Sequence, residues 1–327
     1  MELGLEIKPI QQQEIKKKLK FKPIDLSSKS IIESYTKPWN LGCSDLSFAN
    51  LFIWGINGKM EYAQLDNVLY IKLDFEKVPV HFWAPIPKLG ANVNYREAVY
   101  TALDYMKNIG AEPTIRSVWT PFKDKILKCC PELFVQPTEI AWDYVYEREI
   151  LATLKGKKLH GKRNHINKFL SKYPDYEYAV LDDSMIEECI ALYEDWSDQK
   201  DEHSVELSDE RTSVMLALRH RKALGLTGGC IFVKGELVAF TVGERLSNTM
   251  QLIHIEKAKT DIEGAYPMIN QQYILHECQG VELINREEDM GIEGMRKAKR
   301  SYQPIKMIEK YLISTRDLTD VKGIWGK

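Results

Sequence analysis

Residues 230–242 read CIFVKGELVAFTV, and this stretch decides the fold. Two short runs of apolar, largely β-branched and aromatic residues flank a Lys234-Gly235-Glu236 turn, a pattern typical of a β-hairpin. The further elements predicted around it are helices over 185–198 and 209–224, a strand over 249–255, a helix with Pro267 in its first turn, a strand over 280–284, a helix over 292–302 and a closing strand over 305–313. This order predicts a mixed sheet with helices on its faces.

Local signals support two of these helix boundaries. Ser184 and Glu187 have the spacing of a capping box, in which two side chains satisfy each other's backbone N–H groups. Gly225 follows the second helix at the position where a left-handed residue commonly closes a helix. The second helix is therefore predicted to end at Gly225, shortly before the hairpin.

The first half of the chain repeats this order. The predicted elements are a hairpin that turns at Asp66-Asn67, strands over 78–84 and 114–119, helices over 95–107 and 121–129, and a last strand over 142–146. With 327 residues the chain has the length of two domains. We therefore expect two copies of an α/β (α+β) unit, an N-terminal one over 1–147 and a C-terminal one over 148–327.

The composition excludes several classes of protein. The chain has 45 Lys and Arg against 47 Asp and Glu, and 44% hydrophobic residues, which is ordinary for a globular protein. Its apolar runs are shorter than the ~20 residues that span a bilayer, and the first residues lack a secretory signal, so we expect a cytoplasmic protein. Its cysteines and histidines show no metal-ligand spacing, so no metal is expected. Dinucleotide-binding and Walker motifs are missing, so the sequence gives no support for either kind of nucleotide site.

A basic run over 155–172 carries seven Lys or Arg and no acid. Glycines and asparagines are interleaved with the cations, and such residues supply the backbone freedom and the hydrogen-bond donors that phosphate contacts use. A solvated charged face is the alternative interpretation. The residues predicted to bind phosphate are Lys157, Lys158, Lys162, Arg163 and Asn164.

Two further stretches carry a resemblance to a known family. They read SDLSFANLFIW at residues 44–54 and GIEGMRKAKRSYQP at residues 291–304. In these stretches the chain resembles the domain family that forms the cytoplasmic C-terminal part of phosphatidylglycerol lysyltransferase and also occurs as stand-alone bacterial proteins. The resemblance extends over about residues 22–311.

That resemblance implies two tandem GNAT-like (acyl-CoA N-acyltransferase-like) units, each a mixed sheet flanked by helices, as in the Fem-type peptidyltransferases. It also implies transfer of an aminoacyl group from aminoacyl-tRNA to an acceptor, which is a lipid, a peptide or an amine. The sequence lacks the membrane-embedded part of the lysyltransferase and has no transmembrane segment. The acceptor therefore stays open, with a peripheral membrane contact as one option.

The loop before the predicted helix at Pro267 differs from that of a CoA-dependent GNAT enzyme. Such enzymes hold the pyrophosphate on backbone N–H groups at a helix N-terminus, commonly with a loop of the form Q/R-x-x-G-x-G/A. Residues 261–266 read DIEGAY, and Asp261 and Glu263 would each repel a pyrophosphate by on the order of 1 kcal/mol. The sequence predicts that CoA is not the cofactor, although both acids also suit the positive end of a helix.

The acids over 285–289 follow a predicted strand, at the sheet edge where sites in α/β proteins usually lie. An aminoacyl ester is already activated, so the enzyme needs a proton acceptor and a group that stabilises the oxyanion, but no covalent nucleophile. We predict that Asp289 takes the acceptor's proton and that Asn285 and Glu287 bind substrate. As the alternative, Glu287 and Asp289 only begin and cap the next helix.

The next helix presents three cations at positions i, i+3 and i+4, which share one face. Arg296 and Lys299 are predicted to be catalytic cations that offset charge on the ester carbonyl oxygen, and Arg300 is predicted to bind substrate. Arg296 and Lys299 also lie on the motif of the family that the chain resembles. A solvated face is the alternative.

Two other functions stay open on sequence grounds. One is a CoA-dependent N-acetyltransferase, and the other is a non-catalytic tRNA- or peptide-binding module, which the basic run favours. The aromatic residues of the first half are predicted to be core rather than a platform for base stacking. These residues are Phe48, Phe52, Trp54, Phe82 and Trp83.

Overall fold

The computed structural model describes residues 18–40, 42–55, 60–75, 78–199, 205–319 and 321. These residues form two mixed β-sheets with helices on their faces. The strands are β1 Lys22–Pro23, β2 Met60–Leu65, β3 Val68–Phe75, β4 Val78–Trp83, β5 Ile86–Pro87, β6 Thr114–Trp119, β7 Phe134–Pro137, β8 Asp143–Glu147, β9 Glu177–Val180, β10 Thr227–Val233, β11 Glu236–Arg245, β12 Met250–Ala258, β13 Leu283–Asn285, β14 Lys306–Ile308 and β15 Lys310–Ser314.

The helices lie between the strands in chain order. They are α1 Lys29–Thr36, α2 Phe48–Trp54, α3 Tyr95–Asn108, α4 Thr120–Cys129, α5 Arg148–Thr153, α6 His160–Lys172, α7 Ile186–Asp198, α8 Val205–Arg219, α9 Arg221–Leu224, α10 Ala265–His276 and α11 Glu293–Ser301. Short 3-10 helices include Ser44–Leu46, Lys157–Leu159 and Asp183–Met185. The predicted order of elements is therefore present in both halves of the chain.

The first sheet has the strand order β1-β2-β3-β4-β6-β15-β7, and β5 pairs with β3. The hairpin of β2 and β3 turns at Asp66 and Asn67, whose φ angles of 49° and 61° are those that a type I′ turn requires. Of the aromatic residues predicted as core, Phe48, Phe82 and Trp83 are buried, whereas Phe52 and Trp54 are partly buried against the same core. The three buried rings therefore cannot stack on nucleotide bases.

The second sheet has the order β14-β8-β13-β12-β11-β10-β9. Alternate residues of β10 point to opposite faces, so Cys230 packs with the core that includes α7 and Ile231 packs with the core that includes α10. Both faces of this sheet are therefore covered. The sites that remain accessible lie where strands end or diverge.

The two sheets exchange strands across the predicted boundary at residue 147. Strand β8 precedes that boundary but lies in the second sheet, and β15 follows it but lies between β6 and β7 of the first. The single closing strand predicted over 305–313 is wrong, because the chain changes sheet at Glu309, between β14 and β15. Alternation of side chains predicts a strand but not the sheet that it joins. The division into 1–147 and 148–327 stays a prediction.

Two local predictions also need correction. The capping box at Ser184 and Glu187 is wrong, because Asp182 accepts a hydrogen bond from the Ser184 backbone N–H at 2.8 Å and caps a 3-10 turn instead. The helix predicted over 209–224 is two helices, α8 and α9, which meet at His220. The basic run, for which no element was predicted, is largely helix α6.

Candidate functional site

The candidate site lies where two parallel strands of the second sheet diverge. Strands β12 and β13 pair only from Met250 with Leu283 to Leu252 with Asn285. Beyond these pairs β12 continues to Ala258, whereas the other strand gives way to the loop over 286–289. Polar groups of the loop and of β12 therefore face each other across a gap that no backbone hydrogen bonds close.

A β-bulge shapes this gap. In the pairing of β11 with β12, Val242 lies opposite Ile255 and Gly243 lies opposite Ile253, so His254 is the extra residue. A bulge re-aims the side chain of the extra residue, and bulges are common next to active sites. Here the bulge turns His254 toward the loop after β13.

His254 is buried between two carboxylates. Its Nε2 lies 3.0 Å from Glu244 Oε1, and its Nδ1 lies 2.8 Å from Glu287 Oε1. Burial alone would lower the pKa of His254, but the hydrogen bonds to both carboxylates outweigh it and raise the pKa to about 10. The imidazolium therefore fixes Glu287 at the mouth of the gap, and the hydroxyl of Ser47 donates to Glu244 from the other side.

A second buried cation, Lys310, lies close to the same loop. Its Nζ is 2.8 Å from Asp143 Oδ1, 3.1 Å from Asp45 Oδ2 and 3.2 Å from Ser44 Oγ. A third carboxylate oxygen, Glu288 Oε2, lies 4.0 Å away. Four separate segments of the chain thus meet at one ammonium group, which is 1% exposed.

Asn285 and Glu287, both predicted to bind substrate, shape the loop. The Asn285 amide donates to Gly42 O at 2.7 Å and to Asp143 Oδ2 at 2.9 Å, and its oxygen accepts from the Glu287 backbone N–H at 2.7 Å. Glu287 has a φ of 55°, in the left-handed region that residues other than glycine seldom adopt. Backbone strain of this kind is frequent at functional sites. The contacts give Asn285 a structural role beside the one predicted.

Asp289, the predicted proton acceptor, already has four donors. It accepts from Arg296 Nε at 2.7 Å and Nη2 at 3.0 Å, from Tyr144 OH at 2.6 Å and from the Gly291 backbone N–H at 2.8 Å. Burial would raise the pKa of Asp289, but the bonds from Arg296 and Tyr144 lower it to about 2. A carboxylate so weakly basic and so fully bonded is a poor proton acceptor, and its geometry fits the positioning of Arg296 instead.

Lys299, predicted as a catalytic cation, turns toward the backbone of the loop. Its Nζ donates to Arg286 O at 2.6 Å and to the carbonyl oxygen of Glu288. Burial lowers the pKa of Lys299, and the nearby Glu288 and Glu287 oppose that effect. The ammonium group therefore braces the loop over 286–288 against helix α11.

Arg296 and Arg300 line one pocket of about 180 Å³ between α11 and β8. Tyr144, Trp142 and Asp289 form part of its wall. Arg296 is held by Asp289, whereas Arg300 is exposed at the rim. The pocket thus brings together three of the residues that the sequence singled out. Its lining holds two arginines and two carboxylates, those of Asp289 and Glu139, and of the arginines Arg300 is the one that Asp289 does not hold.

The residues of the basic run divide into exposed and engaged ones. Lys157 and Lys158 are exposed on the turn before α6, and Asn164 is exposed within it. Arg163 donates to the carbonyl oxygens of residues 154 and 156, the latter at 2.8 Å, and so closes this turn. Lys162 lies 4.1 Å from the ring centre of Tyr302, which places α6 beside the end of α11.

The start of helix α10 lies directly against α6. A Cβ added at Gly264 would collide with the backbone oxygen of His165, so only glycine permits this approach. Glu263 pairs with Lys168 Nζ at 2.7 Å. Asp261 lies at the wall of a separate pocket of about 250 Å³, which Trp196 also lines. Helix α6 therefore packs directly against the N-terminal end of α10.

Sequence reasoning missed five of the polar residues at this site. A histidine within a predicted strand gives no sign of a bulge, and Lys310, Asp143 and Asp45 lie too far apart in the chain for spacing to connect them. The stretch over 44–54 was the available signal, because it contains three residues that contact these groups, namely Ser44, Asp45 and Ser47. The missed residues are Asp45, Asp143, Glu244, His254 and Lys310.

The comparisons with known proteins identify the family. Residues 38–314 match the family model "Phosphatidylglycerol lysyltransferase, C-terminal", and the chain belongs to this family. The crystal structure of a conserved protein of unknown function from Bacteroides thetaiotaomicron is similar over 91% of this chain and 100% of that one, at 35% identity and a TM-score of 0.81. Family and fold together indicate an acyltransferase.

Two other relatives are similar at lower sequence identity. The C-terminal domain of a putative lysylphosphatidylglycerol synthetase from Agrobacterium fabrum has a TM-score of 0.58 at 13% identity, over 89% of this chain and 93% of that domain. An uncharacterized protein of Mycoplasmoides gallisepticum is 25% identical over 177 residues. That match covers 54% of this chain and 56% of the curated relative, so it spans about half the length of each. The predicted fold class, two GNAT-like units with mixed sheets flanked by helices, is confirmed.

Two properties of the described residues bear on partners. None of their helices combines the length and the apolar character that crossing a bilayer requires. Within the same ranges, no three His, Cys, Asp or Glu side chains are placed to share a metal ion. The cytoplasmic location predicted from the sequence stays a prediction.

Proposed function

We propose that this protein transfers an aminoacyl group from aminoacyl-tRNA to a lipid acceptor, with a peptide or a free amine as the alternative acceptors. One observation carries the proposal. The two stretches that resemble the lysyltransferase family are distant in sequence but lie around the loop over 286–289. The stretch over 291–304 contacts the loop directly through Arg296 and Lys299. The stretch over 44–54 reaches it through Lys310 and through the pair of Glu244 with His254. Family resemblance and a polar gap between diverging strands thus coincide at one place.

The surroundings of the gap suit such a reaction. The exposed Lys157 and Lys158 lie on the turn before α6, and Lys162 connects that helix to α11 through Tyr302. We propose that this basic surface contacts phosphates near the 3′ end of the tRNA. The pocket beneath Arg296 and Arg300 would then receive an anionic group of a substrate.

The arrangement at α10 favours a donor other than CoA. In a CoA-dependent enzyme the pyrophosphate needs free backbone N–H groups at the helix N-terminus. Helix α6 lies against Gly264, and Glu263 adds a carboxylate at the same end. A CoA-dependent N-acetyltransferase therefore has less support than an aminoacyl transferase that uses aminoacyl-tRNA.

The surface around α11 favours a lipid acceptor. Met290 and Ile292 are 50% and 51% exposed, and Met295 is exposed beside them. The same helix carries Arg300 and Lys297 on its exposed surface. Exposed apolar side chains next to cations are typical of proteins that lie on an anionic membrane surface.

The test is a transfer assay with tRNA charged with a mixture of radiolabelled amino acids. The acceptors, offered separately, are vesicles that contain phosphatidylglycerol, a peptide extract and a mixture of small amines. We expect label in the lipid fraction. Label in the peptide or amine fraction instead would identify that class as the acceptor. Absence of label from all three fractions would overturn the proposal.

Acetyl-CoA provides the matched arm of this experiment. We expect no heat of binding when it is titrated at tens of micromolar in a calorimeter. Binding at micromolar affinity, with acetyl transfer to the amine mixture, would favour the N-acetyltransferase instead. Binding of tRNA without transfer of label or acetyl groups would favour the non-catalytic module.

A further inference from the structure

We propose that Glu288 is the general base of the transfer reaction. Its carboxylate takes the proton from the acceptor's nucleophilic oxygen or nitrogen as that atom bonds to the acyl carbon. The ester C–O bond then breaks, and the proton passes from Glu288 to the departing ribose oxygen of the tRNA. This inference rests on the proposed function and names a residue for a step that the function leaves unassigned.

The first argument is that the carboxylate of Glu288 accepts no hydrogen bond. Asp289 accepts four hydrogen bonds, and Glu287 is bonded to His254. Among the acids of the described loop, Glu288 is the one whose carboxylate accepts no hydrogen bond, and its side chain is 30% exposed. It is therefore the acid that an incoming acceptor can reach.

The second argument is that neither nearby lysine donates a hydrogen bond to this carboxylate. Lys310 lies closer to Asp143 and Asp45, at 2.8 and 3.1 Å, than to Glu288 at 4.0 Å. Lys299 donates instead to backbone carbonyl oxygens. Both lysines are close enough to stabilise the carboxylate form without locking it in a bonded pair.

The electrostatic surroundings suit a base that works near neutral pH. Burial raises the pKa of Glu288 to about 7, with Lys310 opposing the shift and Glu287 reinforcing it. General bases are most effective when their pKa lies near the working pH. The titratable groups that face this carboxylate are Lys310 from β15, Lys299 from α11, Asp143 from β8, Asp45 from the 3-10 helix Ser44–Leu46 and Glu287 from the loop, with Cys43 beyond Lys310.

The main test compares Glu288→Gln with Glu293→Gln, an exposed acid on α11 that makes the same change of charge. Turnover is measured from pH 5 to 9 with tRNA charged with labelled amino acids and phosphatidylglycerol vesicles. We expect Glu288→Gln to lower kcat about 100-fold or more, with KM within about threefold of the wild type. Glu293→Gln should match the wild type, whose kcat should fall below pH ~7.

Two further variants separate a base from a structural residue. Glu288→Asp should retain measurable turnover with a displaced acid limb, and formate should partly restore Glu288→Ala. Wild-type turnover in Glu288→Gln would overturn the inference, and so would a loss that neither aspartate nor formate repairs. A wild type that transfers nothing would instead show failure of the proposed function, and the base assignment would fall with it.

A second readout does not depend on the donor. In protein labelled with ¹³C at the glutamate carboxyl, one resonance should titrate with a midpoint near pH 7. It should be missing in Glu288→Gln and present in Glu293→Gln. If every glutamate resonance that Glu288→Gln removes titrates below pH 5, the inference is wrong.

Discussion

The loop over 285–289 and the basic segment over 157–164 are both dense in charge, and the structure uses them in opposite ways. Charged groups of the loop bond to other elements, as Glu287 does to His254 and Asp289 does to Arg296. In the basic segment Lys157 and Lys158 are exposed. Charge density in a sequence therefore does not tell whether the charges serve the fold or face a ligand.

The number of elements that contact each charge makes the distinction. Glu287 and Asp289 of the loop bond to groups from β12, β8 and α11, so removing either carboxylate leaves polar partners without their hydrogen bonds. An exposed lysine leaves no such partner. Substitution of a charge that is bonded to other elements should therefore change stability, whereas substitution of the exposed Lys157 and Lys158 should change binding.

The largest effect is expected for Lys310→Met. The substitution leaves Asp143 and Asp45 buried without their cation, and loss of one partner of a buried ion pair commonly costs about 3–5 kcal/mol. The free energy of unfolding, measured by urea titration, should fall by that amount.

Two companion variants sharpen this prediction. Lys306→Met removes an exposed lysine nearby and should change the free energy of unfolding by less than about 0.5 kcal/mol. Adding Asp143→Asn to Lys310→Met should restore part of the loss, because it removes one uncompensated charge. Equal stability of the two single lysine variants would break the comparison.

The next effect is a pH dependence set by His254. Its pKa is raised to about 10 in the folded protein, against about 6.5 in an unfolded chain. The stabilisation is therefore complete below pH ~6.5 and is lost as the pH rises toward 10, at up to about 1.4 kcal/mol per unit. The difference in unfolding free energy between wild type and His254→Asn should shrink between pH 7 and 9.

The matched control for this dependence is His165→Asn, because His165 is half exposed. Its difference from the wild type should stay constant over the same pH range. A constant difference for His254→Asn as well would show that the histidine is neutral and that Glu287 is not held by charge.

A smaller loss of stability is expected for Asp289→Asn. The carboxylate has a pKa lowered to about 2, so its contribution is present above pH ~4 and is lost as the pH falls toward 2. Loss of the charged bonds to Arg296 should cost about 2 kcal/mol at pH 7. Urea titrations at pH 7 and pH 3 measure both values, and an unchanged stability at pH 7 would show that the bonds between Asp289 and Arg296 do not stabilise the fold.

The smallest effect on stability is expected for the pair Lys157→Ala and Lys158→Ala. The free energy of unfolding should change by less than about 0.5 kcal/mol. The slope of log tRNA affinity against log salt concentration should become shallower by about 2, because two phosphate contacts are lost. Arg163→Ala, by contrast, should lower stability because Arg163 closes the turn before α6. An unchanged salt slope in the double variant would remove the basic segment from the tRNA contact.

Much of the fold could be predicted because the signals are local. The hairpin at Asp66-Asn67 and the helix end at Gly225 depend on left-handed conformations that these residues tolerate, and both are present. The change of sheet at Glu309 could not be predicted, since strand alternation carries no information about the neighbouring strand. Pairing between strands far apart in sequence is set by the packing of both sheets.

The candidate site could be predicted only in outline. Its position after β13 follows from a general rule for strand ends, and Arg296, Arg300 and Asp289 do line one pocket. The roles within it were not predictable, because they depend on which groups are already bonded. Asp289 and Glu288 are adjacent in sequence, yet one carboxylate is saturated and the other is unbonded.

The place of β15 in the first sheet has a consequence for the order in which the protein is made. During synthesis β6 leaves the ribosome long before β15, and all seven strands of the second sheet emerge between them. Until then β6 presents an unpaired edge and β7 lacks its neighbour, a state that invites wrong pairing. Contacts so distant in sequence slow folding, so the first sheet should be completed after the second has formed.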